Sequence, residues 1–182
     1  MSDRLTPAER SLRMAAVRQK NTGPEIFVRQ LIHRAGFRFK LSNQQLPGSP
    51  DILLVRWRKA IFVNGCFWHG HDCHLFKLPA TRTAWWAEKV HGNRLRDQRA
   101  EAELAKAGWR IVTVWQCALK GKHKLGVSAL QELLVEAIQS RAQSIDICEK
   151  GLARGMLLAS RPYARKSWPT PDGAVAPQQV QA

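Results

Sequence analysis

Two thiols and two imidazoles fall within the eight residues from Cys66 to Cys73. Cys66, His71 and Cys73 form a soft donor set suited to zinc, and Cys117, which follows an apolar run, supplies a fourth ligand. Four protein ligands leave no open position for water, so the predicted zinc site is structural. His69, which lies between the ligands, is then free for proton transfer.

Spacing alone leaves other interpretations of these residues open. It is not a standard zinc-finger pattern, and free cysteines are among the most buried residue types, so the thiols could be inert core residues. His74 could replace His71 as a ligand. Cys148 lies in a polar stretch, and we expect it to be a bystander thiol.

The net charge of the chain indicates which class of molecule it binds. A net charge of +15 on 182 residues indicates a polyanion, with DNA or RNA ahead of an anionic membrane. No hydrophobic run approaches the ~18 residues of a membrane span, and the N-terminus lacks an apolar signal core. Cysteines clustered with histidines favour metal binding over disulfides, so a reducing, cytoplasmic location is expected.

Aromatic side chains in basic surroundings suggest contact with bases. Phe67-Trp68 and Trp85-Trp86 have this setting, and such rings stack on bases or wedge between them. Alternatively the rings pack around the zinc or under the next helix, and for Trp85 the two interpretations have equal weight.

The periodicity of the chain predicts an α/β domain. Capping boxes begin helices at Thr6 and Thr22, the second ending at Gly36. The other predicted elements are a strand at 37–41, a hairpin formed by 51–55 and 60–63, a helix at 83–107, a strand at 110–115 and a helix at 128–140.

Composition divides the chain into three parts. Residues 1–20 form a basic arm that grips DNA, and residues 21–142 form the core with its zinc site. Residues 143–182 lose periodicity and become rich in Pro, Gln and Ala, so we expect a disordered tail.

The hairpin carries a second candidate metal site. Nucleases of the PD-(D/E)xK type place a magnesium-binding carboxylate where this chain has Pro50-Asp51, although Pro-Asp also commonly starts a strand after a turn. Phe62-Val63-Asn64 occupies the place of (D/E)xK and lacks both its carboxylate and its lysine. Asp51, a backbone carbonyl near Val63 and waters would coordinate Mg2+.

Phosphodiester hydrolysis also needs a base for the attacking water. His69 is the best candidate, because the pKa of histidine is ordinarily near neutral pH. Asp97 would fix its tautomer, unless Asp97 pairs with Arg94 or Arg96 on a solvated helix face.

The motifs together resemble one enzyme family over about residues 3–140. The very-short-patch repair endonucleases, Vsr, share Pro50-Asp51 and the highly specific Gly65-Cys-Phe-Trp-His69 block. Further matching segments are Arg13-Met14, 20–22, 61–73, 75–83, Trp86, Asn93, Arg96-Asp97, 108–111 and 114–117. The resemblance implies a PD-(D/E)xK, restriction-endonuclease-like core with a mixed central sheet flanked by helices, plus a structural zinc site.

The same resemblance implies a reaction and residue roles. The enzyme would nick DNA 5′ to the T of T:G mismatches left by 5-methylcytosine deamination, initiating very-short-patch repair with catalytic Mg2+. Asp51 and the Val63 carbonyl would bind Mg2+, and His69 with Asp97 would handle the proton. Zinc would be held by Cys66, His71, Cys73 and Cys117. Phe67, Trp68 and Trp86 would wedge beside the mismatch, with Met14 approaching from the other groove.

Two residues depart from the family pattern as we expect it. Asn64 stands where the best-known members have histidine; it is an expected catalytic-site residue that hydrogen-bonds a metal water or phosphate but cannot exchange a proton near neutral pH. Gln116 stands where we expect glutamate, before the last zinc cysteine.

Two alternative functions follow from these departures and from the fold class. One is a zinc-stapled, non-catalytic DNA-binding relative, and the other is a restriction-type endonuclease that cuts both strands. The expected partner is T:G-mismatched duplex DNA on the bacterial nucleoid, with a mismatch-repair protein as a further candidate, no membrane contact, and a monomeric chain.

Overall fold

The computed structural model describes Thr6, Glu9 and residues 20–41 and 46–155. Its helices are α1 (Gly23–Arg34), α2 (Thr83–Lys106), α3 (Gln116–Leu119) and α4 (Val127–Gln139), with a 3-10 turn at Val55–Trp57. Its strands are β1 (Lys40–Leu41), β2 (Ile52–Leu54), β3 (Lys59–Asn64), β4 (Arg110–Trp115), β5 (Ser144–Cys148) and β6 (Gly151–Gly155).

The strands form one mixed sheet in the order β1-β2-β3-β4-β5-β6. β2 and β3 pair antiparallel as the predicted hairpin, and β3, β4 and β5 run parallel. The outer pairs β1–β2 and β5–β6 are antiparallel. The α/β class with a mixed central sheet is therefore confirmed.

Helices cover both faces of the central strands. Residues alternate along β3, so Ile61 packs into a core with α1 and α4, whereas Ala60 packs with Leu104 of α2 and with Trp109. Parallel strands buried on both faces are typical of sheets whose crossovers are helical. Here α2 connects β3 to β4, and α4 lies between β4 and β5.

Both predicted capping boxes form. The Thr22 hydroxyl accepts from the Glu25 backbone N–H while the Glu25 side chain accepts from the Thr22 backbone N–H, and proline lies in the first turn of α1. Thr6 and Glu9 make the same reciprocal bonds. The rest of the predicted arm helix, including Met14, lies outside the described residues.

The predicted boundary between core and tail was wrong. Residues 144–155 form β5 and β6, so the sheet continues past the expected end at 142. Ile145 and Ile147 are fully buried, and the polar Asp146 between them accepts a hydrogen bond from the Trp115 indole. This short alternation was obscured by its polar neighbours. Residues 156–182 lie outside the description.

The first predicted strand is shorter than expected. Only Lys40–Leu41 pair in the sheet, whereas Phe37 and Phe39 pack into the core without belonging to a strand. Among the described helices, none is long and apolar enough to cross a membrane.

Candidate active site and metal centre

The hairpin positions Asp51 at its open end. The Asp51 backbone N–H donates to the Ile61 carbonyl at 2.9 Å, and its carboxylate accepts from the Val63 N–H at 2.7 Å. Burial raises the pKa of Asp51 to about 6, the Val63 hydrogen bond opposes this shift, and the nearby Glu25 charge adds to it. The carboxylate is thus held in an environment that disfavours its charge.

A cavity of about 460 Å³ opens beside Asp51. It brings together the side chains that the sequence analysis selected for catalysis, which are Asp51, Asn64, His69 and Asp97. Val63 also lines it, as expected for a residue whose carbonyl would contact the metal, although that contact stays a prediction. Asp51 and Asp97, 46 positions apart in sequence, thus share one cavity because β2, β3 and α2 meet here.

His69 and Asp97 are in hydrogen-bond contact, with Nδ1 and Oδ2 2.5 Å apart. His69 lies in the turn after β3, and Asp97 lies in the middle of α2. The alternative partners of Asp97 are engaged elsewhere: Arg94 donates to the Gly70 carbonyl, and Arg96 donates to the Asn93 side chain. A carboxylate on Nδ1 fixes the orientation and tautomer of an imidazole.

Two further carboxylates in the cavity were missed. Glu25 is only 5% exposed and pairs with Arg29 at 2.9 Å in addition to capping α1. Nothing in the sequence distinguishes it from an ordinary capping residue. Glu101 is also buried, and its spacing of four from Asp97 places both on one face of α2, which was a usable signal.

The predicted zinc ligands converge. The donor atoms of Cys66, His71, Cys73 and Cys117 all lie within 4.8 Å of one another. Tetrahedral zinc, with bonds of about 2.0–2.3 Å, requires donor separations of roughly 3.3–3.8 Å, so the cluster fits the ion with small adjustments. His74 instead pairs with Glu149, so His71 rather than His74 joins the three cysteines in this cluster, and its role as a ligand stays a prediction.

Hydrogen bonds within this cluster shift the pKa values of its members. A hydrogen bond from Cys66 lowers the pKa of Cys117 to about 4, and the same interaction raises the pKa of Cys66. Burial by itself lowers the pKa of His71, but hydrogen bonds to neighbouring thiols raise it to about 10. Zinc binds thiolates and neutral imidazole, so it would displace these protons.

Cys148, which we expected to be a bystander thiol in the tail, lies beside the candidate metal centre. It lies at the end of β5, packs against the buried trio Cys66, Trp115 and Cys117, and hydrogen-bonds His71. The misplacement has the same origin as the missed strand, because β5 carries Cys148 to the zinc centre.

The Trp115 indole lies between the candidate metal centre and the cavity, in contact with a residue of each. Trp115 stacks on His71 with centroids 4.2 Å apart and lies edge-on to His69 at 6.3 Å. The indole N–H donates to Asp146 at 3.0 Å. The loop that follows β3 therefore places a metal ligand and the catalytic candidate against the same buried ring.

The predicted wedge residues form an aromatic cluster. Phe67 lies 5.2 Å from both Trp68 and Trp86 by ring centroids, and all three side chains are half-buried. Trp85 contacts Trp86 at 4.8 Å and is 43% exposed. Arg82 and Lys89 lie over the Trp85 ring. The cluster thus combines apolar rings with positive charge at the surface.

Known proteins share much of this sequence. Residues 2–75 match the family described as DNA mismatch endonuclease Vsr. The DNA mismatch endonuclease Vsr of Escherichia coli K12 is 41% identical over 152 residues, covering 84% of this chain and 97% of that protein. The type II nicking enzyme V.XorIIP of Xanthomonas oryzae is 52% identical over 119 residues, covering 65% of this chain and 88% of that protein.

Proposed function

This chain belongs to the Vsr family of DNA mismatch endonucleases and is a hydrolytic DNA nuclease, and we propose that it nicks duplex DNA 5′ to the T of a T:G mismatch. Such mismatches arise when 5-methylcytosine is deaminated, and the nick would initiate very-short-patch repair. The observation that carries the proposal is the meeting of Asp51 with the His69–Asp97 pair in one cavity.

Magnesium fits the acidic end of this cavity. Burial raises the pKa of Asp51 and the neighbouring Glu25 charge adds to this shift, so a divalent cation beside the carboxylate would offset the cost of its charge. Asp51 and the Val63 carbonyl would hold the ion. When bound, Mg2+ supplies positive charge that stabilises the departing oxygen.

His69 would accept the proton of the attacking water. Its contact with Asp97 orients the ring and stabilises the imidazolium that forms. The Asn64 amide does not gain or lose a proton near neutral pH, so it could contribute hydrogen bonds but no proton transfer.

The aromatic cluster would recognise the mismatch. Phe67, Trp68 and Trp86 present half-buried rings beside the cavity, and apolar wedges of this kind unstack base steps in other DNA-binding proteins. A wobble pair unstacks at lower cost than a matched pair, which would favour insertion at T:G. The zinc centre, built by the same loop, would hold the rings in position without taking part in hydrolysis.

The decisive variant is Asp51→Ala, compared with Glu132→Ala, which removes an exposed carboxylate on α4 outside the cavity. On a T:G duplex in Mg2+, we expect Asp51→Ala to abolish nicking and keep duplex binding, while Glu132→Ala retains both. EDTA should abolish nicking by the wild-type protein. Binding without cleavage by every protein under every metal tested would favour the non-catalytic relative instead.

A further inference from the structure

The candidate active site has an unusual charge for a cavity that would receive a phosphodiester. The ionisable side chains among its described lining residues are Glu25, Asp51, Asp97, Glu101 and His69. No lysine or arginine occurs among those lining residues, although the chain as a whole carries a net +15. The ionisable groups that a phosphate would meet in this space are therefore four carboxylates and one imidazole, so neutral side chains must supply most of its hydrogen-bond donors.

Two neutral amides lie where such donors are needed. Asn64 ends β3, and its register partner in the parallel strand β4 is Trp115, which directly precedes Gln116. Neighbouring strands lie about 4.8 Å apart, so the two amides occupy adjacent positions at the carboxyl ends of β3 and β4. Both line the cavity, and both are partly exposed.

Neither amide side chain stabilises the fold through a hydrogen bond to the part of the chain that the structure describes. Within 20–41 and 46–155, no group hydrogen-bonds to the side chain of Asn64 or Gln116. Their neighbours differ in this respect, since Asp51 binds the Val63 N–H and Asp97 binds His69. Unused polar groups at the mouth of an acidic cavity are available to a ligand.

We propose that the side-chain amides of Asn64 and Gln116 donate hydrogen bonds to the non-bridging oxygens of the scissile phosphate. The assignment rests on the proposed function; it commits Asn64 to the phosphate rather than to a metal-bound water and adds Gln116 as a second phosphate-binding residue. An amide N–H donates at every pH and adds no negative charge, whereas a glutamate at 116 would bring a further carboxylate into the cavity. Donors fixed beside the phosphate gain strength as charge accumulates on its oxygens.

Isosteric acids separate this role from simple packing. Asn64→Asp and Gln116→Glu keep the side-chain size but replace the donor with a negative charge, while Asn64→Ala and Gln116→Ala remove the group. We expect alanine to lower the single-turnover nicking rate by about 10- to 100-fold. The acids should lower it further, because they repel the phosphate. A packing role predicts the reverse order.

Controls keep the result interpretable. Gln131→Glu on α4 makes the same charge change away from the cavity and should nick at the wild-type rate. Asn64→His restores a ring N–H donor and should exceed Asn64→Ala in rate. Zinc content and thermal midpoint, measured for every variant, should match the wild type, and duplex affinity should change less than the rate.

The outcomes separate this assignment from the proposed function. If the wild-type protein nicks the T:G duplex and both alanine variants match its rate, the phosphate-binding role is overturned while the nickase remains. Acid variants that outperform alanine would overturn it in the same way. A wild-type protein that never nicks would overturn the nickase and this assignment together.

Discussion

Burying the charged Asp51 carboxylate costs free energy, and this cost should make the stability of the fold depend on pH. Burial raises its pKa from 3.8 to about 6, so between these values the folded protein holds a proton that the unfolded chain has released. Stability contributed by this group therefore falls as pH rises through the window, and the cost is fully present above about pH 6.

Removing that charge should stabilise the metal-free protein. We expect Asp51→Asn to raise the free energy of unfolding at pH 7 by about 1–3 kcal/mol, because each pKa unit corresponds to about 1.4 kcal/mol. The gain should disappear near pH 4. Urea unfolding without added Mg2+, compared at the two pH values, measures it. An Asp51→Asn protein less stable than wild type at pH 7 would contradict the account.

The Asp97 carboxylate acts on His69 through charge as well as position. Asp97→Asn retains the side-chain shape but no longer stabilises an imidazolium, so we expect nicking to slow by about 10²- to 10⁴-fold. Glu103→Gln makes the same charge change on an exposed position of α2 and should leave the rate unchanged. Equal rates for Asp97→Asn and wild type would exclude the proton-transfer role of the pair.

At the scale of elements, we expect the loop between β3 and α2 to depend on zinc. Cys117→Ser removes the ligand that joins this loop to α3, so we expect zinc content below half an equivalent and a fall of several kcal/mol in stability. Cys148→Ser is the matched control, because Cys148 touches the centre without belonging to its four-ligand set. Elemental analysis and thermal unfolding measure both. Loss of zinc in Cys148→Ser alone would reassign the ligands.

Arg58, in the turn between β2 and β3, contacts the C-terminal end of α2. Arg58 adopts a left-handed conformation at φ 52°, donates to the Ala107 and Gly108 carbonyls, and lies 4.7 Å over the Trp109 ring. These contacts satisfy carbonyls at the helix C-terminus and add a cation–π interaction.

Loss of the Arg58 contacts should lower the free energy of unfolding. We expect Arg58→Ala to destabilise the fold by about 1–3 kcal/mol. Arg56→Ala, at an exposed position in the same turn, should change stability by less than about 0.5 kcal/mol. Chemical denaturation distinguishes them, and equal effects of the two substitutions would remove the specific role of Arg58.

Local sequence patterns predicted most helices and strands. The arrangement of the cavity depends instead on how the strands pair, which local patterns do not reveal. The Thr22 capping box, the hairpin and α2 follow from spacing in the sequence. The cavity arises because β3 and β4 pair in parallel, which brings Gln116 beside Asn64. Long-range register of this kind leaves no local signal. The strand β5 was not predicted because its five residues alternate too briefly to be distinguished from a polar tail.

For the whole molecule, one connection builds most of the candidate site. The segment between β3 and α2 supplies three of the four predicted zinc ligands, His69 and two aromatic rings, and α2 supplies Asp97 and Trp86. The restriction-endonuclease-like fold of the family contributes Asp51 from the adjacent hairpin. A positively charged chain would attract the duplex, while an acidic cavity would admit only a phosphate that brings or meets a divalent cation.

The central claim is tested most directly by mapping the cut on end-labelled duplexes. One duplex holds T:G in a context such as CTWGG, and the other is fully paired; each strand is labelled separately, with Mg2+ or EDTA. We expect a single nick 5′ to the mismatched T, in Mg2+ only, with the G strand and the paired duplex intact. Cleavage of both strands of the paired duplex, or no cleavage of the mismatched one, would contradict the account.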